Sequence, residues 1–525
     1  MLVNHISKND KILIQIDSDC DGFTSAAILI NYLHRHFPYY VDNYISYQVH
    51  EGKQHGIILE TIPEDIGLVI APDSSSNDYD IHKQLAKKNI DVLVIDHHEA
   101  DHISEFACVI NNQLCNYPSK SLSGAGMVYK FCSYIDSLLG TEVAQDLIDL
   151  AALGMIADMV DLKDFEVKHL IKKGLEFIKN PFFSEMVKKN EFSLKDNITP
   201  TGIAFYIAPY VNATIRVGTQ EEKMLLFESM LEHKAYENIP STKRGCKGQF
   251  ETRVEQACRN CTNIKNKQAK TRDSMLEVVE NIIETNQLLS NKILAVKLDN
   301  VSIDKNLTGL IANQLMAKYQ RPVLLLNKVI TNEVIIWEGS GRGYDKSKFN
   351  NFKEFLTNSN LILYAEGHME AFGFGITDEN FDNLIFYSNE TLKDFDFSPC
   401  YKVDFEFDCD NFYAQDILKI AELKSIWGQG VEEPLIAFTN IKITKDNLIL
   451  MSPDKSPTLK IILPNGTSLI KFKSSIEEYE QLKTNYGYKT INIVGRCEQN
   501  IWNGNISPQI IIEDYEIMDE VRYYF

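Results

Sequence analysis

The stretch Asp17-Ser18-Asp19-Cys20-Asp21-Gly22 constrains this chain more than any other. It follows the apolar run Lys11–Ile16 (KILIQI) and opens into residues 24–36, an apolar-rich segment of helical character. The predicted order is strand, acidic turn, helix. Carboxylates on alternate residues at the end of a buried strand repel one another and resist desolvation unless a cation neutralises them. Hard divalent cations take such oxygen ligands, and Gly22 lets the backbone turn sharply beneath them. A metal site and a solvated acidic loop are the two readings. A calcium loop of the EF-hand type is not, because the twelfth position counted from Asp17 is Ile28 where a Glu is needed.

Three further segments bear on the choice. Residues 68–71 (LVIA) form a second short apolar strand that delivers Asp73, and residues 92–95 (VLVI) a third that delivers Asp96-His97-His98. Residues 150–160 (LAALGMIADMV) have helical period and carry Asp158 in an otherwise apolar setting. Open α/β sheets bind ligands beyond the carboxyl ends of their strands, so the four segments can converge on one crevice. A carboxylate and imidazole set of this size suits two divalent ions about 3.5–4 Å apart, the arrangement used for in-line phosphoryl displacement.

With the Asp-rich turn before it and GMIAD after it, Asp96-His97-His98 resembles the motif of the DHH phosphoesterase superfamily. The likeness extends to its RecJ-type single-strand-specific exonucleases. It is carried by LSGAGMVYK (residues 122–130), IAPYVNATIRVG (207–218), GSGRG (339–343), EGHMEAFGFGI (366–376), WGQGVEEPLIAF (427–438) and VGRCEQNIWNG (494–504), in family order over nearly the whole chain. The resemblance implies an α/β fold: a parallel-sheet DHH catalytic domain over residues 1–218, a long helical connector over 219–289, a smaller α/β DHH-associated domain over 290–395, and an acidic connector with an OB-fold-like β-barrel over 396–525. It implies a metal-dependent exonuclease acting on single-stranded DNA from the 5′ end, in repair, recombination or replication. Two divalent ions, manganese or magnesium, are implied on Asp17, Asp19, Asp73, His97 and Asp158. Asp21 and Asp96 would orient these ligands and His98 would face the scissile phosphate. Asn212, Arg216, Ser340, Arg342, Gly367 and His368 are the implied substrate contacts. Two other readings remain open: a phosphodiesterase of short oligonucleotides or cyclic dinucleotides, and an inactive replication scaffold.

Single-stranded DNA is the implied partner, RNA a further one, and a single-strand-binding protein or helicase an accessory one to a monomer. A net charge of −20 argues against a broad DNA-coating surface while allowing a local basic channel. Residues 243–272 supply one candidate, with Lys243, Arg244, Lys247, Arg253, Arg259, Lys265, Lys267, Lys270 and Arg272 on or near a helix; a solvated linker helix is the alternative. Much of the acidic excess falls in residues 381–410, which read as a solvated connector.

No apolar run approaches the roughly 18 residues of a membrane helix, and MLVNHISKND lacks a signal peptide's apolar core, so a cytoplasmic protein is expected. Cys258 and Cys261, with Cys246 upstream, lack the further ligands of a zinc site and are expected to pack.

Several positions have two readings. Gly124-Ala125-Gly126 before a helix suits close packing or a phosphate. The glycines of GSGRG would let backbone amides approach an anion gripped by Ser340 and Arg342. Gln48 stands where relatives carry a basic residue, with His50, Lys53 and His55 nearby, and both histidines are expected at the surface. Glu366 replaces a glycine common in the family. Trp427 and Trp502 suit base stacking or a small barrel's core.

Overall fold

The computed structural model of the chain describes residues 1–51, 54–194, 198–246, 248–299, 301, 303–331, 333–502 and 504–521; Lys53 and Lys247 lie outside them. Residues 1–264 and 403–525 form one compact unit and residues 265–402 a second.

In the first unit, strands β1 (Lys11–Ile16), β2 (Ile45–Val49), β3 (Ile66–Pro72), β4 (Asp91–Asp96) and β5 (Cys108–Asn111) make a parallel sheet in the order β2-β1-β3-β4-β5. β1, β3 and β4 are apolar runs buried on both faces, as a parallel sheet covered by helices requires. Helices α1 (Cys20–His36), α2 (Gly124–Leu139), α3 (Ile148–Ala157) and α4 (Ala208–Val217) contribute to the main core, which includes Phe23, Leu29, Val128, Leu153 and Ile215. Helix α1 begins at Cys20, earlier than the sequence suggested. Asp19 caps it by accepting from Gly22 N, so the acidic turn is itself the helix start and its dipole favours those carboxylates.

Helix α5 (Arg253–Thr285) begins in the first unit and ends in the second. Among the described residues, four of the nine basic residues expected on this face pair with carboxylates: Lys243 and Arg259 with Glu251, Arg253 with Glu228 and Glu237, and Arg272 with its neighbour Asp273. Cys258 and Cys261 are fully buried in the main core, packing as small apolar groups.

In the second unit, β6 (Leu294–Leu298), helix α6 (Lys305–Tyr319), β7 (Val323–Thr331), β8 (Val334–Arg342), β9 (Tyr364–Gly367) and β10 (Ala371–Thr377) build a sheet ordered β9-β10-β8-β7-β6. Only β6 and β7 run parallel. Residues 381–410 are not a plain connector: α7 (Asp378–Thr391) buries Phe381 and Leu384 in this unit's core, and β11 (Phe405–Asp408) pairs with β12 (Ile436–Ile443) in the next sheet. Phe381 and Leu384, three residues apart, mark the helical stripe that the acidic composition hides.

With β13 (Leu448–Met451), β14 (Thr458–Ile462), β15 (Ser468–Lys471), β16 (Tyr488–Trp502) and β17 (Asn505–Val521), β11 and β12 form a seven-stranded sheet ordered β11-β12-β16-β17-β15-β14-β13. Alternate residues such as Ile491 and Ile493 point into its core. Trp502, at the tip of the β16–β17 hairpin, is 72% exposed. Among the described residues no helix is long and apolar enough to cross a membrane.

Candidate metal centre and substrate contacts

The carboxyl ends of β1, β3 and β4 and the end of α3 bring Asp17, Asp19, Asp21, Asp73, Asp96, His97, His98 and Asp158 together. Their ligand atoms form overlapping sets, Asp73 with Asp96, His97 and His98, Asp21 with His97 and Asp158, and Asp17 with Asp19 and Asp73; within each, the atoms lie within 4.8 Å of one another. His97 joins the sets: its Nε2 is 3.2 Å from Asp73 Oδ1, 3.8 Å from Asp158 Oδ2 and 3.9 Å from Asp21 Oδ2.

Two of the carboxylates are themselves fixed by hydrogen bonds from the chain. Asp21 accepts from Ser123 Oγ (2.7 Å), Gly124 N (2.6 Å) and Ala125 N (3.1 Å). The free amides at the start of α2 therefore grip a carboxylate of the protein itself, and a Cβ on Gly124 would fall 2.2 Å from Asp73 Oδ1. Asp96 accepts from Ser76 N (3.1 Å), His97 N (2.7 Å) and His98 N (3.2 Å), and its Oδ1 lies 2.8 Å from His98 Nδ1. Burial opposes its charge, but the His98 contact and these amides hold its carboxyl well below the usual range. The Asp96 hydrogen bond in turn pushes His98 up to about 9, whereas burial lowers His97.

The donor set fits a cation. Burial, and then Asp21, Asp19 and Asp17, push the Asp73 carboxyl well above its ordinary value; burial and Asp21 raise Asp19 to about 6, and burial with Asp21 and Asp19 raises Asp158 to about 8. Asp73 Oδ1 is buried with no hydrogen-bond donor despite the nearness of His97, and Asp73 holds a left-handed backbone at φ 68°. No lysine or arginine of the described residues pairs with any of these carboxylates; their basic neighbours are the imidazoles of His55 on Asp17, His98 on Asp96 and His97 beside Asp73, too few to balance six carboxylates, and a divalent cation suits the remainder.

Three residues join the site that sequence reading did not assign to it. His55, expected as a surface residue, is exposed but holds Nδ1 2.8 Å from Asp17 Oδ2, which raises its pKa. Ser76 supplies an amide to Asp96, and Asn111 Nδ2 donates to Ser76 Oγ (2.8 Å) and to the His98 carbonyl (2.9 Å). The only signals were a serine run after Asp73 and an Asn at the end of a strand. His50, also expected at the surface, is buried, with Nε2 2.8 Å from the Gly56 carbonyl.

The expected substrate contacts divide between the units. On α4, Asn212 accepts from Cys20 N (3.2 Å) and so braces the start of α1. Arg216, one turn further along, is exposed and has no ion pair among the described residues. In the second unit, Ser340, Arg342, Gly367 and His368 lie at one end of the sheet, where Arg342 is in register with Ala371 and Gly367 with Phe372. Ser340 Oγ is 3.0 Å from Thr308 Oγ1, and the half-buried Arg342 guanidinium donates to the Gly341 carbonyl (2.7 Å) with no carboxylate partner among the described residues. Gly367 has φ 124°, and the exposed His368 forms the hairpin turn beside Ala371.

The glycines of GSGRG do not form an amide cradle. Gly339 and Gly341 lie in β8, paired with β7 and β10 on either side, and Gly343 just past its end donates its amide to the Glu370 carbonyl (2.9 Å). A Cβ on Gly339 would meet the Leu325 carbonyl at 1.9 Å, and one on Gly341 the Phe372 ring at 2.4 Å. The motif leaves Ser340 and Arg342 as the only donors for an anion.

The DHH family N-terminal domain model matches residues 11–155, and the RecJ OB domain model matches residues 403–514. A Bacillus subtilis (strain 168) protein named as an SPbeta prophage-derived single-strand DNA-specific exonuclease, YorK, is 38% identical over 523 residues, covering 98% of this chain and 89% of its own. The single-stranded-DNA-specific exonuclease RecJ of the same organism is 25% identical over 98% of this chain, which spans 62% of RecJ's length. The crystal structure of RecJ in complex with Mn2+ from Thermus thermophilus matches with a TM-score of 0.69 at 17% identity, over 99% of this chain and 71% of that one. The chain therefore belongs to the DHH family, among its RecJ-type single-stranded-DNA-specific exonucleases.

Proposed function

We propose that the protein hydrolyses single-stranded DNA from its 5′ end with the aid of two divalent ions, manganese or magnesium. The observation that carries this reading is the buried, donor-less oxygen of Asp73 inside a cluster of carboxylates that no lysine or arginine of the described residues pairs with. Asp17, Asp19, Asp73, His97 and Asp158 would hold the ions. These would neutralise the carboxylates and stabilise charge on the phosphate undergoing in-line displacement. Asp21 and Asp96, held by the hydrogen bonds described above, would stand behind these ligands, Asp96 through the His97 backbone and the His98 ring. His98, protonated at neutral pH and held by Asp96 through one ring nitrogen, has the other to donate to a phosphate oxygen. Relatives named as single-strand DNA-specific exonucleases support the substrate, and structures of RecJ with Mn2+ and with Mg2+ support the choice of ions. A monomer receiving its strand from a helicase or single-strand-binding protein, in repair, recombination or replication, completes the reading on family resemblance.

Only a 5′ terminus that carries a phosphate offers an exonuclease that group's extra charge. Ser340 and Arg342, two positions apart on the strand and so on one face of the sheet, suit it. A charge-assisted contact is worth about 1.5–3 kcal/mol, or about one to two decades in affinity. The test compares product sizes and rates on a long labelled single strand with a 5′-phosphate and with a 5′-hydroxyl, beside a dinucleotide. Successive cleavage from the 5′ end, faster on the phosphorylated strand, with the gap narrowed by Arg342→Ala, is the expected result. Turnover of the dinucleotide alone would make the protein a short-oligonucleotide phosphodiesterase instead.

A further inference from the structure

Helix α3 delivers Asp158 and stops there. Val160 N bonds to the Met155 carbonyl (3.3 Å) and Met159 N to the Ile156 carbonyl (3.2 Å), the pattern of a Schellman end, with Met159 at φ 59° where glycine is usual. A left-handed non-glycine residue next to a candidate ligand persists only if its surroundings hold it. Part of what holds it comes from the C-terminal domain. Leu162 is buried and its N–H donates to the Gln429 carbonyl at 2.9 Å. A Cβ on Gly428 would fall 2.5 Å from Leu162 Cδ1, and one on Gly430 would fall 1.9 Å from Asp161 Oδ1. That Asp161 oxygen accepts from Lys163 N (2.9 Å), closing the loop after Asp158. Thr201 Oγ1 donates to the Trp427 carbonyl (3.2 Å), and Gly428 and Val431 bond to each other through their backbones at 2.9 and 3.1 Å. The same elements line a cavity of about 510 Å³ with Ile156, Met159, Leu162, Phe205, Gly428 and Arg496 among its walls.

The geometry points to residues 427–431 as a positioning element for Asp158, a latch by which the C-terminal domain sets the shape of the metal centre. No atom of this segment is offered as a ligand. It acts by fixing Asp161 and Leu162, three and four residues beyond Asp158, against a domain that starts some 240 residues later in sequence. Two tight glycine contacts and two hydrogen bonds to backbone carbonyls meet at that short loop, which is more than casual packing between neighbouring domains requires. The inference rests on Asp158 being a metal ligand, as proposed above.

The test is manganese affinity of the full-length protein, read from the free-ion electron paramagnetic resonance signal, in a cycle of Gly430→Ala and Asp158→Ala. An alanine at residue 430 must take a φ of 77° and displace the Asp161 carboxylate. Outer partners of a metal typically change affinity by about 10–100-fold, so Gly430→Ala should weaken manganese binding about tenfold. In the Asp158→Ala background it should weaken it no further. Should Gly430→Ala fail to fold, Thr201→Val removes only the hydrogen bond to Trp427 and should show the same pattern at about threefold. Equal weakening with and without Asp158, or no weakening in a folded variant, would overturn the latch. If Asp158→Ala itself leaves manganese affinity unchanged, the ligand assignment fails first, and the latch fails with it.

Discussion

Gly124 opens a helix in the first unit and Gly341 lies near the end of a central strand in the second, and neither leaves room for a methyl group. At Gly124 the obstacle is Asp73, and the amide beside it is free to bind Asp21. At Gly341 the obstacle is the Phe372 ring, and the amide belongs to a sheet ladder. A helix start has four unused N–H groups and therefore attracts a negative charge, whereas a central strand has none to spare. The same residue type thus serves electrostatics in one place and packing in the other. What a glycine-rich motif can bind depends on the element in which it lies.

The strongest way to break this contrast is to remove the acid that Gly124 faces. Asp73→Ala should lower cleavage in saturating manganese by more than the roughly 10–100-fold typical of outer partners of a metal. The metal-free variant should melt no lower than wild type. Asp73 is buried with its pKa raised, so its contribution to stability is full only below its unfolded pKa and is lost as pH rises. Undiminished turnover would remove Asp73 from the centre.

The paired substitutions come next. Gly124→Ala should cost about 10–100-fold in manganese affinity, because the methyl displaces Asp73 and disturbs the amides on Asp21. Gly341→Ala should leave that affinity alone and destabilise the second unit by about 1–3 kcal/mol through overpacking on Phe372. Calorimetry of both variants, with and without manganese, checks this. A loss of affinity in Gly341→Ala, or none in Gly124→Ala, would dissolve the distinction.

How much of this was legible in the sequence follows from the range of the forces involved. β1 was visible residue for residue, and β3 and β4 to within two residues at either end, because strands buried on both faces must be apolar throughout. The cluster from Asp17 to Asp158 was visible because each acid or imidazole directly follows such a strand or ends an apolar helix. His55 was not assigned to it, since a histidine in a polar loop has no pattern until the fold sets it against Asp17. The pairing along the basic helix was hidden for the reverse reason. Sequence shows Arg253 and Arg259, while the acids that engage them, Glu228, Glu237 and Glu251, are placed by tertiary structure. The latch on Asp158 is a contact across some 270 residues, and no local pattern encodes it.

A smaller effect separates the charge of the site from its packing. In metal-free protein Asp19 titrates at about 6 and Asp158 at about 8, against an ordinary value of 3.8. Both folded-state values are raised, so the stabilising contribution is complete near pH 4 and is lost as pH climbs through 6 and then 8. Asp96 has the opposite sign, but its contribution is already complete above about pH 4 and is constant over this range. With chelator present the melting temperature should therefore fall between pH 5 and pH 8, and saturating manganese should abolish most of that fall. The histidines titrate in the same window with both signs, His98 raised and His97 and His50 lowered, so a flat profile without metal would mean that Asp19 and Asp158 do not dominate it.

The smallest effect concerns a position where glycine is expected and absent. Met159 adopts φ 59° at the end of α3, a conformation that costs a side-chain-bearing residue about 1–2 kcal/mol, while glycine there would lose about 0.5–1 kcal/mol through the freedom it brings to the unfolded chain. Met159→Gly should therefore gain up to about 1 kcal/mol, a change readable in a denaturant midpoint at constant slope. Its manganese affinity should match wild type, because the Schellman bonds and the Leu162 anchor that place Asp158 are backbone contacts that glycine keeps. The methionine is 56% exposed on the wall of the cavity beside Asp158, where a helix end needs no side chain. If Met159→Gly is less stable than wild type, its side chain is packing rather than merely tolerated, and strain is not stored at this helix end. If it is more stable and also loses manganese affinity, the tension at Met159 is itself part of how Asp158 is held, and glycine's absence from this site has a chemical reason rather than a packing one.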